Sequence, residues 1–134
     1  GIVGLGAATR IAEVDGTADA ARITALRDRF EAALAAEVAG LLVMGDGSNR
    51  LAGHSNLAFP GVDGDDLLKG LPGLCASTAA ACTSASLERS HVLRALGHGP
   101  DGVEGSVRFS LGRTTTEDEV TPIVTDISVD WQRP

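Results

Sequence analysis

The sequence predicts an α+β fold: a small, mostly antiparallel sheet of three to four strands, covered on one side by helices. Three observations predict it. Ile23, Leu26, Phe30, Leu34 and Val38 recur at intervals of three and four, the spacing of one apolar helix stripe. Val107, Phe109 and Leu111 alternate with Arg108 and Ser110, the period of a half-buried strand. Short apolar runs at 41–44, 57–59 and 74–76 stand between turn-forming residues, which suits short strands.

The elements are taken in chain order. Gly1 to Val14 carries Ile2, Val3, Leu5, Ala8, Ile11 and Ala12, a helical stripe more apolar than most. Gly4-Leu5-Gly6 has the outward form of a dinucleotide-binding turn. Thr9 holds the place of the third glycine and no strand precedes it, so a helix packed at a domain junction is the better account. Asp15-Gly16-Thr17 predicts a break, with Thr17 able to cap the next helix. A long amphipathic helix then runs from Ala18 to Val38. Arg22, Arg27, Asp28, Arg29 and Glu31 fall on its other, solvated faces.

Leu41 to Met44 reads as the first strand and Gly45 to Arg50 as a turn cluster. Leu57-Ala58-Phe59 is a second strand, ended by Pro60-Gly61. Asp63 to Gly70 reads as a short amphipathic helix ending at glycine, with Lys69 in its last turn for the dipole and the solvent. A third strand is expected around Leu74-Cys75-Ala76, with Cys75 inert in core or strand.

Leu87 to Leu96 is the next helix, closed by Gly97, with Val92, Leu93 and Leu96 facing inward. A loop from Gly99 to Gly105 leads into the alternating strand. Arg108 lies in that strand on the face opposite Phe109, either as a solvated side chain or projecting towards a site. Arg113, at the strand's end, reads as a structural partner for a carboxylate or carbonyl. Thr116-Glu117-Asp118-Glu119 reads as a capping box that opens a last helix. Pro122 predicts a kink, or a restart with the proline in the first turn. Residues after Asp130 read as a frayed end.

Bulk properties narrow the function. With 134 residues, one domain over 1–134 is expected, and the chain is long enough for its own core. The net charge of −7 argues against direct nucleic-acid binding, which needs clustered Lys and Arg. No apolar run nears the ~20 residues of a membrane span, and no signal peptide is visible. Two cysteines with six residues between them match neither a CxxC pair nor a zinc site, and no histidine pair has metal-ligand spacing. A cytoplasmic location is expected.

The stretch from Ser77 to Glu88 is small and polar, and it surrounds Cys82 with alanine and serine. On a loop, or where a loop meets a helix, Cys82 could act as a thiolate nucleophile. The alternative is a buried thiol that behaves as a small hydrophobe. His54, His91 and His98 are candidate bases for it, but a surface role accounts for each as well, because a base needs hydrogen-bond reach.

Several motifs in order carry a family resemblance. They are Asn56 to Gly64, Ala81-Cys82-Thr83-Ser84-Ala85-Ser86-Leu87-Glu88, Ser90 to Gly97, and Ser106 to Arg113 with Thr114, Thr115 and Thr116 after it. With Gly1 to Ala8, they cover nearly the whole chain. Together they resemble the C-terminal portion of the cysteine desulfurases, pyridoxal-phosphate (PLP) enzymes related to selenocysteine lyase and the class V aminotransferases. The resemblance implies that Cys82 takes sulfur from L-cysteine as a persulfide and leaves alanine. It implies that Arg108 holds the substrate carboxylate, as a planar guanidinium can. It places Asn56 near the substrate and cofactor. Ala79 and Ala80 depart from the family's pattern, which often has glycine and a small hydroxyl residue there.

The same resemblance implies a cofactor lysine in a larger domain. Lys69 is the only lysine here, and no lysine beside a histidine occurs. The expectation is a C-terminal part whose large PLP-binding domain is absent, so that this chain alone is inactive. Expected partners are a PLP-binding domain on the same or another chain, a sulfur-acceptor protein and L-cysteine. Two alternatives stay open: a stand-alone persulfide carrier or interaction module without PLP chemistry, and a selenocysteine lyase-like enzyme.

Overall fold

The computed structural model describes residues 1–78, 91–99 and 104–131. The first helix, α1, is Ile2–Glu37. The strands are β1 (Leu42–Val43), β2 (His54–Ala58), β3 (Ser77–Thr78) and β4 (Ser106–Ser110). Between and after them lie α2 (Gly64–Lys69), α3 (His91–Ala95) and α4 (Glu117–Trp131). The strands form one sheet in the order β1-β2-β4-β3, and every pair is antiparallel. This is the α+β fold that the alternation and the helix stripe predict.

The core forms where the two periodicities meet. Leu26, Phe30 and Leu34 of α1 pack on Leu57 of β2, on Val107 and Phe109 of β4, and on Val120 and Ile127 of α4. Phe30 meets Phe109 edge to face, with ring centroids 5.1 Å apart. Two glycines close the central β2–β4 ladder. A Cβ on Gly53 would strike the Leu111 carbonyl, and one on Gly105 would strike the Phe59 carbonyl. The close approach lets Leu111 N donate to Gly53 O at 2.8 Å and Phe59 N to Gly105 O at 3.0 Å.

Several expectations change. The helix does not break at Asp15-Gly16-Thr17: α1 is continuous. Arg113 bridges Asp15 at 3.2 Å and Asp19 at 3.4 Å, and Arg22 donates to the carbonyls of Arg113 and Thr115. These tertiary contacts outweigh the ~1 kcal/mol that glycine costs a helix interior. Arg113 thus has the structural role expected of it. The first half of α1 is uncovered in this chain, with Ile2 90% and Val3 87% exposed.

Arg27 and Glu31 are buried rather than solvated, because the loop before β2 lies over them. Arg50 donates to both Glu31 carboxylate oxygens, and Arg27 donates to the carbonyls of Leu51 and Ala52. Strand β3 begins at Ser77 rather than near Leu74. Of Val92, Leu93 and Leu96, expected to face inward, Leu93 alone is buried; Val92 and Leu96 are exposed. Gly97 closes that helix with φ +87°, where His98 N bonds to Leu93 O.

The capping box of α4 forms as predicted. Thr116 N donates to Glu119 Oε2 at 2.8 Å, and Glu119 N donates back to Thr116 Oγ1. The helix does not restart at Pro122, which sits exposed in its second turn. Trp131, expected in a frayed end, is the last residue of α4 and packs against the core.

Candidate functional site

The sheet has a second face, and the candidate site lies there. Side chains alternate along a strand. Ser55, Leu57, Val107 and Phe109 turn to the core face and are buried. Asn56 and Arg108 therefore turn the other way. They are direct register partners across β2 and β4, and Ser77 of β3 is the register partner of Arg108 on its other side. Met44 N donates to Asn56 O at 2.8 Å, which extends the same row towards β1. One row of the second face thus reads Met44, Asn56, Arg108, Ser77.

The row has an apolar end and a polar end. Met44 is buried with Ala58 and with Leu93 of α3, which packs on this face. Asn56 stands next to that wall, and its Oδ1 is buried without a hydrogen-bond partner among the described residues. The Arg108 side chain is exposed, and among the described residues it makes no hydrogen bond or ion pair. Ser77 is half-buried, and its hydroxyl donates to the Thr78 carbonyl at 3.0 Å. An unengaged guanidinium beside an orphan amide oxygen can bind a small ligand that carries both an anionic and an N–H group.

Two of the three residues expected at the site, Asn56 and Arg108, are thus brought together. The third, Cys82, lies outside the described residues, as do Ala79 and Ala80. Sequence reasoning missed Ser77 because it started the third strand three residues early, at Leu74. It also missed Met44 as the wall of the row, although Leu41 to Met44 was read as a strand.

The remaining candidates fall elsewhere. Cys75, expected to be inert in core or strand, is free and exposed and belongs to no strand. It lines a cleft of about 410 Å³ with Phe30, Phe109, Leu111 and Ile123. The apolar run had suggested burial, but the chain has just turned at Gly73, with φ +120°, and has not yet joined β4. His54 is exposed at the start of β2, and His98 is half-buried after α3. The side chain of His91 is outside the described part.

Lys69 does not fit an aldehyde cofactor. It ends α2 with its side chain 74% exposed and bonds Asp66 at 2.6 Å. That hydrogen bond, with the charge of Asp66 beside it, raises the Lys69 pKa and keeps the amine protonated. Among the described residues no group of three His, Cys, Asp or Glu is placed to hold a metal, and no helix is long and apolar enough to cross a membrane.

No family model matches the chain. Individual proteins do. The cysteine desulfurase IscS of Anaeromyxobacter sp. (strain Fw109-5) is 44% identical over 124 residues, which is 92% of this chain and 31% of that protein. The cysteine desulfurase IscS of Shewanella amazonensis (strain ATCC BAA-1098 / SB2B) is 48% identical over 119 residues, 89% of this chain and 29% of its own length. The chain therefore spans about a third of the curated relatives it matches. A solved NifS-like protein superposes with a TM-score of 0.83 at 27% identity, over 96% of this chain and 32% of its own. A NifS-like protein from Rickettsia africae ESF-5 reaches the same TM-score, 0.83, at 22% identity over 98% of this chain and 34% of its own, a likeness of fold alone.

Proposed function

From the homology of this chain to the C-terminal part, about 30%, of cysteine desulfurase IscS and NifS-like proteins, we propose that it serves as the sulfur-accepting C-terminal part of a cysteine desulfurase. In the overall reaction L-cysteine and the Cys82 thiol give L-alanine and a Cys82 persulfide. The substrate Cβ–Sγ bond breaks, an S–S bond forms, and the proton balance closes on the alanine methyl group. Arg108 holds the substrate carboxylate and Asn56 lies beside it. The observation that carries this reading is the direct pairing of Asn56 with an unengaged Arg108 on one sheet face.

Chain geometry favours Cys82 as the acceptor. Cys82 comes four residues after Thr78 in the sequence. Thr78 itself pairs with Val107, and its hydroxyl donates to Asp65 at 2.8 Å. The root of the thiol-bearing segment is thus held beside Arg108.

The surroundings of Lys69 speak for a PLP-binding part outside this span, on the same or another polypeptide. The exposed apolar residues of α1, Ile2, Val3, Leu5 and Val14, offer that part a surface to cover. A sulfur-acceptor protein would then take sulfur from the persulfide. The same Lys69 geometry also suits a stand-alone persulfide carrier.

The test combines alanine release from L-cysteine with the intact mass of this chain. Joined to a PLP-binding part, the chain is expected to release alanine and to gain one sulfur atom, and Cys82→Ser should abolish the gain. Alone with PLP it should do neither, yet still take sulfur from a persulfide donor. A gain of sulfur that survives Cys82→Ser defeats the proposal.

A further inference from the structure

We propose that Ser77 is a positioning residue for the substrate carboxylate, donating its hydroxyl to the oxygen that Arg108 leaves open. The inference rests on the reading of Arg108 as the carboxylate-binding residue. Three observations carry it.

The first is placement. Arg108 faces Asn56 on one side and Ser77 on the other. Directly opposed residues of antiparallel strands present their side chains on one face. Thr78 confirms which face that is: its methyl lies 3.2 Å from where a Cβ on Gly64 would stand, on the α2 side of the sheet. By alternation Ser77 points to the opposite side, with Arg108.

The second is the supply of donors and acceptors. A carboxylate offers about four lone-pair sites, and a guanidinium fork uses two of them. Asn56 Oδ1 is a buried acceptor with no partner among the described residues, which suits an N–H group better than a carboxylate oxygen. Ser77 brings a donor to the other flank. Its present bond, to the carbonyl of the next residue, is one that a rotating hydroxyl can exchange.

The third is the shape of the row. Its β1 end is closed by Met44, buried with Leu93 and Ala58. An anion gains nothing against that apolar wall. Among the described residues the other end of the row is Ser77, on the edge strand β3. The carboxylate therefore spans Arg108 and Ser77, and the amino side of an α-amino acid lies towards Asn56.

The experiment uses the full 134-residue chain and two probes, L-alanine and L-alaninamide, which differ in the carboxylate. Binding is read from the NMR shift of the Arg108 Nε–H. L-alanine is expected to bind more tightly than its amide. Ser77→Ala should weaken L-alanine about tenfold, the low end for loss of one hydrogen bond to a charged group. It should leave the amide unchanged, and Ser77→Thr should restore the difference.

Unchanged amide signals of Val107 and Phe109 would show the sheet intact in both variants. Equal binding of L-alanine by Ser77→Ala and the parent chain overturns the role of Ser77 and leaves Arg108 in place, provided Arg108→Ala loses the binding. If Arg108→Ala also binds as before, or the two probes bind alike, the carboxylate reading fails with it.

Discussion

Arg50 grips Glu31 through both carboxylate oxygens, at 2.8 and 2.6 Å, where the loop before β2 crosses α1. Both side chains are largely buried, at 16% and 11% exposure. The hydrogen bond to Glu31 holds the Arg50 pKa above its ordinary value. Removing one partner strands the other in a poorly solvated place. Glu31→Ala should therefore cost about 3 kcal/mol, the low end for a broken buried pair. Urea unfolding would measure it, and a loss no larger than that of exposed Glu37→Ala would contradict the burial.

The glycines that close the β2–β4 ladder should be intolerant of any side chain. At Gly53 and Gly105 a Cβ would meet backbone carbonyls, which cannot rotate away. Each change to alanine should cost about 2–3 kcal/mol, as overpacking does. Gly47→Ala, with nothing within 4 Å, should be nearly neutral in the same thermal scan. Since β2 and β4 carry Asn56 and Arg108, the Gly53 and Gly105 variants should also weaken binding at the site.

Asp46 provides a pH marker for the turn that leads to Arg50. Its carboxylate accepts from the backbone N–H and hydroxyl of Ser48 and from both N–H groups of Asn49. These bonds, the Ser48 backbone first, pull its pKa well below the ordinary range. Because the folded value is the lower one, the contribution is complete above the unfolded value of about 3.9 and fades as pH falls below it. A carboxyl-carbon NMR titration should place the Asp46 midpoint below about 3.9, and Ser48→Ala should move it up. A midpoint at the ordinary value would mean that the turn is open in solution.

Lys69 should be a poor site for an aldehyde. Its pKa is raised by the hydrogen bond to Asp66, so the free amine is scarce at neutral pH. The stabilising effect of this pair is present below the unfolded lysine value and is lost as pH rises through the folded one. Borohydride reduction after exposure to PLP, then peptide mapping, should label Lys69 more readily in Asp66→Asn than in the parent chain. Equal labelling would show that the ion pair does not govern the amine.

The features legible in the sequence are those set by local period and local chemistry. Val107 and Phe109 against Arg108 gave β4 and the face of the site. Thr116 with Glu119 gave the start of α4. The features that could not be read depended on distant partners. Gly16 reads as a break until Arg113 arrives from the far end of the chain to bridge Asp15 and Asp19 on either side of it, with Arg22 of α1 donating to the Arg113 and Thr115 carbonyls. Arg27 and Glu31 read as surface residues until the loop with Arg50 covers them. Ser77 reads as part of a loop until β4 pairs with it, so the row that joins it to Arg108 exists only in the folded sheet.

Cys75 tests the same lesson chemically. An apolar neighbourhood in sequence, Leu74 and Ala76, argues for a protected thiol. The fold argues the reverse, because the chain between Gly73 and Ser77 has left one turn without yet gaining a strand partner. The thiol is free and exposed beside the cleft formed by Phe109 and Ile123. In a Cys82→Ser chain, which isolates it, iodoacetamide should label Cys75 completely without denaturant, and urea should speed the reaction little. Exposure governs access and a buried thiol is inert. Labelling that waits for urea would restore the buried account and move the start of β3 back to Leu74.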